Sequence, residues 1–93
     1  MRNYEAACVF QAEEVKFKAG KEAVQKVLTD LGAQEVKEVD MGVRTLAYPI
    51  QKAIQAHYLV FQFQADPAQA DQLTDKVKYQ EELLRILVTR QED

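Results

Sequence analysis

Several things are scarce in this 93-residue chain: it has one cysteine, one histidine, no tryptophan, two prolines and three glycines. A lone Cys8 excludes an internal disulfide, which fits a reducing compartment. With His57 as the only imidazole, and in a different segment from Cys8, a metal centre of converging soft ligands is excluded. The glycines, Gly20, Gly32 and Gly42, stand apart and cannot form a phosphate-cradling loop. No apolar run approaches the roughly 18 residues of a membrane span, and the start M-R-N-Y-E-A-A lacks the basic-then-apolar layout of a signal peptide. A cytoplasmic protein with no membrane association is expected. One further absence is local. From Met41 to Ala65 there is no acidic residue, although the chain carries 15 Asp and Glu and a formal net charge of -3.

What is present is ordinary for a globular protein: 47% hydrophobic and 29% charged residues, enough apolar matter for one core. The length allows a single domain, residues 1–93. The acidic balance argues against indiscriminate nucleic-acid binding, which needs a broad positive field, but leaves room for a local basic patch.

Tyr4 to Phe10 is a short Val- and aromatic-containing run and predicts a strand. Tyr4, Ala6, Cys8 and Phe10 share one side, while Ala7 and Val9 make the other side partly apolar as well. Phe17, Val24, Val27, Leu28 and Leu31 recur at helical spacing and predict a helix over about 15–31, stopped by Gly32. Gly20 weakens its first turns, so a late start is expected. Val36 to Tyr48 predicts a second strand whose apolar parity slips, implying a bulge at Gly42. Pro49, without an N–H, is expected to end it. A loop from Ile50 to about Gln55 with a mobile, basic tip around Lys52 then leads into the strand His57 to Phe63. Asp66-Pro67 is a cap followed by a first-turn proline, opening a helix with Ala70, Leu73 and Val77 buried. Leu84 to Arg90 is the last strand. The order strand, helix, strand, strand, helix, strand predicts an α+β, ferredoxin-like fold: a four-stranded antiparallel sheet with both helices on one face.

Little in the chain suggests catalysis. Cys8 in an apolar strand reads as core, His57 as a strand-edge residue, and the pairs Glu13-Glu14 and Glu81-Glu82 as solvated surface. The fold also hosts acylphosphatase-type and small-ligand domains, but the segment after the first strand, Q-A-E-E-V, is acidic and lacks glycine. Phe61 and Phe63 lack the glycine-aromatic spacing of the RNA recognition motif and read as core. What remains is a set of cations near predicted strand ends, Arg2, Arg44, Lys52, Lys78, Arg85 and Arg90, with Tyr48 and Tyr58 near them as hydrogen-bonding or stacking partners.

The stretch G-V-R-T-L-A-Y-P-I-Q-K at 42–52, followed by A-H-Y at 56–58, resembles the signature of the bacterial small-subunit ribosomal protein six family. The start M-R-N-Y-E and the segment K-Y-Q-E-E-L-L-R at 78–85 fit that family's pattern too, with Gln80 where Asn or Arg is usual. The resemblance covers essentially the whole chain. It implies a ferredoxin-like, non-enzymatic protein that needs no cofactor and takes no small-molecule substrate. Such a protein binds the central domain, or platform, of 16S ribosomal RNA together with small-subunit protein eighteen. It also implies that Arg2, Arg44, Tyr48, Lys52, Tyr58, Lys78, Arg85 and Arg90 are RNA or partner contacts. Some members carry a longer charged tail; here only Gln91-Glu92-Asp93 stands in that place, and no tail function is expected.

Overall fold

A computed structural model describes residues 1–50 and 52–91. Gln51 of the expected loop, and Glu92 and Asp93, lie outside the described residues. The elements are β1 (Arg2–Gln11), α1 (Glu14–Asp30), β2 (Gln34–Ile50), β3 (Ala53–Ala65), α2 (Pro67–Val77) and β4 (Leu83–Gln91). The strands form one sheet in the order β2-β3-β1-β4, and every neighbouring pair is antiparallel. This is the ferredoxin-like arrangement expected from the sequence.

The alternation in β1 decides which face is covered. Tyr4, Ala6, Cys8 and Phe10 are buried with Leu59, Phe61 and Phe63 of β3, against Val24 and Leu28 of α1 and Ala70, Leu73 and Val77 of α2. Both helices therefore pack on one face. Tyr4 stacks on its cross-strand partner Phe63 with ring centroids 5.8 Å apart. Each large side chain buried this way contributes about 1.5–3 kcal/mol. Burial pushes the Cys8 thiol up to about 12, so it remains a neutral core group.

Two expectations need correction. The strand does not stop at Pro49: β2 continues to Ile50, which pairs with Ala53, so most of the expected loop is strand. Pro49 is tolerated because β2 is an edge strand and its pairing with β3 is interrupted between Thr45 and Ile50, where a missing N–H breaks no rung. Nor does α1 start late, since it begins at Glu14. Gly20 is there for space: a Cβ at that position would lie 2.7 Å from Phe10 Cδ1 and 2.9 Å from Glu82 Cβ. Close packing of α1 on β1 outweighs the helix penalty of glycine.

The bulge falls where the parity slip placed it. Asp40 pairs with Leu59 and Gly42 with Tyr58, so two residues of β2 span one step of β3, and Gly42 has φ 83°. At α2 the Asp66 N–H donates to Gln69 Oε1 at 3.3 Å, fixing the predicted start.

Candidate nucleic-acid and partner interface

Cross-strand partners share a face, so the register sorts the candidate residues. On the face away from the helices, Val39, Val60, Ala7 and Leu87 form one row. Gly42, Tyr58, Val9 and Arg85 form the next, and Arg44, Ala56 and Gln11 the one after. This open face carries an apolar band, with Met41 46% and Leu87 62% exposed. Ala7, Met41, Arg44, Tyr58 and Val60 line a shallow depression in it. Arg44 and Arg85 stand on the same face at its Gln11 end.

Beyond that end the β2–β3 hairpin overhangs the sheet, because β1 pairs no further than Ala56 while β2 and β3 run on to Ile50 and Ala53. The overhang carries Tyr48, 83% exposed, and Lys52, which sits in the turn with φ 69°. Lys78 is the C-cap of α2, whose C-terminal end points the same way. Arg44, Tyr48, Lys52, Tyr58, Lys78 and Arg85 thus gather toward one end of the molecule. Arg2 and Arg90 do not. Arg2 pairs with Ala65 and Arg90 with Tyr4, at the opposite end of the sheet. Arg90 lines a depression on the helix side with Asp71 and Thr74 of α2.

Among the described residues, no carboxylate lies within ion-pair distance of Arg44, Lys52 or Arg85. Other cations are engaged internally: Lys21 lies 3.9 Å from Glu38 Oε2, Lys16 3.8 Å from Glu13 and Lys78 3.4 Å from Asp75 Oδ1. The acid-free run therefore has a structural result: its cations have no carboxylate partner among the described residues.

His57 holds a position that sequence reasoning missed. It faces the helices rather than a sheet edge, with its ring stacked on Phe17 of α1 at 3.5 Å between centroids. Its Nε2 lies 2.6 Å from Asp40 Oδ1. An ionised carboxylate only accepts, so the imidazole donates. The same carboxylate accepts the Gly42 N–H at 2.8 Å, tying the bulge to the His57 rung. These bonds, from His57 first and then Gly42, hold the Asp40 carboxyl below the usual range. No sequence periodicity reports a contact across a bulge. The clue was only that Asp40 precedes Gly42 by two residues, a spacing suited to a local side-chain turn.

Comparison with known proteins agrees with this architecture. A family model described as Ribosomal protein S6 matches residues 3–90. Small ribosomal subunit protein bS6 of Treponema denticola is 40% identical over 93 residues, covering 100% of both chains. The bS6 of Dictyoglomus turgidum is 38% identical over 92 residues, covering 96% of this chain and 94% of its own. The crystal structure of 30S ribosomal protein S6 from Thermotoga maritima matches with TM-score 0.80 at 24% identity, over 97% of this chain and 87% of that one. At that identity the likeness establishes the fold.

Proposed function

Because the chain belongs to the ribosomal protein S6 family, and so is a structural component of the small ribosomal subunit rather than an enzyme, we propose that it binds the central domain of 16S ribosomal RNA jointly with small-subunit protein eighteen. One observation carries this reading: Arg44 and Arg85 at the end of an exposed apolar sheet face, with Lys52 on the overhang beyond it, are unpaired with any carboxylate among the described residues. The cations suit phosphates, and the apolar band suits a protein partner. Arg2 and Arg90 serve as a second, separate point of contact at the far end. A net charge of -3 supplies no general attraction to RNA, so a basic partner must contribute much of the positive field. The other use of this fold, a phosphate- or ligand-binding domain, has no support in the acidic segment between β1 and α1.

The reading is tested by titrating labelled platform RNA with the full chain, alone and with small-subunit protein eighteen. Weak binding alone and strong binding of the pair is expected. Equally tight binding without the partner removes the joint mechanism, and no binding in either case removes the assignment.

A further inference from the structure

Tyr79 was not singled out by its sequence context, yet it is 83% exposed, as exposed as Tyr48. Its ring adds nothing to the core cluster. The backbone on either side of it is well held. The Lys78 N–H donates to Thr74 O and the Gln80 N–H to Val77 O, each at 3.0 Å, and Leu83 N–H to Gln80 O at 3.2 Å. The carbonyls of Glu81 and Glu82 accept from the side chain and backbone of Gln11, both at 2.9 Å. The turn between α2 and β4 is thereby fastened to β1 and presents an aromatic ring to solvent on a fixed support.

Lys78 Nζ lies over one face of that ring, 5.2 Å from its centroid, and 3.4 Å from Asp75 Oδ1. The opposite face of such a ring can take a nucleobase by stacking, with the cation across the ring near the attached phosphate. An arginine of a protein partner fits less well, since Lys78 already occupies Asp75 and would repel a second cation from the ring. The turn lies toward the same end of the molecule as Lys52 and Tyr48.

We propose that Tyr79 is a stacking platform for one unpaired base of the bound RNA, with Lys78 as the cation on the other face of the ring. This rests on the RNA-binding reading above. Stacking depends on ring area and is independent of counterion release, so its loss should lower affinity without changing the salt slope.

The test uses the full chain with small-subunit protein eighteen and labelled 16S central-domain RNA. Tyr79→Ala should weaken RNA binding by roughly 5- to 150-fold, the range for removing one base–aromatic stack, with an unchanged salt slope. Tyr79→Phe should keep wild-type affinity. The chain has no tryptophan, so Tyr79→Trp supplies a single reporter at the site, whose emission should be quenched on adding RNA to a protein pair that contains no other tryptophan or has had it replaced. Wild-type affinity in a folded Tyr79→Ala variant, or indole emission from the Tyr79→Trp variant that RNA leaves unaffected, overturns the platform while leaving the RNA-binding reading intact. A Tyr79→Ala variant that no longer binds the protein partner in the absence of RNA also overturns it, by making the contact one between proteins. Absence of RNA binding by the wild-type pair overturns both.

Discussion

At the scale of single residues, Gly20 and Asp40 show how environment overrides propensity. On helix propensity alone, Gly20→Ala should stabilise α1 by about 1 kcal/mol. The methyl group would collide with the buried ring of Phe10 and with Glu82 Cβ, neither of which is the free end of a flexible chain. The expected outcome is a net destabilisation of up to about 2 kcal/mol, the overpacking cost of about 1–3 kcal/mol less the propensity gain, read from urea midpoints. A gain in stability would show that Phe10 moves aside freely. Asp40 gives a pH signature. Its carboxyl is held below its unfolded value, so the stability it contributes is complete above an unfolded pKa of about 3.9 and is lost as pH falls through the folded value. Asp40→Asn should therefore be less stable than wild type at neutral pH, and the difference should shrink as pH drops below about 4. A difference that stays constant down to about pH 2 would refute a role for the charge. His57 belongs at this scale too: its chain position suggested an edge, whereas β3 lies inside the sheet and Phe17 covers its ring. Which strand is central depends on long-range pairing, which local sequence does not encode.

At the scale of elements, the hairpin was legible in its strands and bulge but not in its length. The parity slip at Gly42 was visible because sheet alternation has a period of two, and any inserted residue shows. Pro49 misled because its local rule, that it cannot donate to a ladder, says nothing of whether a donor is needed there. The resulting overhang sets the third expectation. Arg44→Ala combined with Lys52→Ala should leave unfolding midpoints within about 0.5 kcal/mol of wild type, because exposed charges with no ion-pair partner among the described residues contribute little to stability. In the RNA complex formed with the partner, the slope of log affinity against log salt should shrink by about 0.7 to 0.9 for each phosphate that the variant no longer neutralises. If the hairpin touches only the partner protein, heterodimer formation without RNA weakens and the slope does not change. With neither effect in a well-folded variant, both residues are simply solvated.

At the scale of the whole molecule, the fold class was legible because each element announced itself: Asp66-Pro67 opened α2, Gly32 followed α1, and the helical stripes matched the buried sets. The grouping of the site was less so. Chain position placed all six cations at strand ends, but a sheet has two ends, and only the register separates Arg2 and Arg90 from Arg44, Lys52 and Arg85. The same register has a consequence for biosynthesis. β1, made before the other strands of the sheet, is a central strand whose two neighbours are β3 and β4, and β4 is the last of the four strands. During translation the nascent β1 therefore has one hydrogen-bonding edge open until Leu83–Gln91 has emerged, and Tyr4 waits for Arg90 to take its place in the ladder. Such pairing between the first and fourth strands of the sheet closes a long loop and is slow to form. The sheet cannot be completed stepwise during elongation; the finished fold forms only once β4 has cleared the exit tunnel of the ribosome that synthesises it.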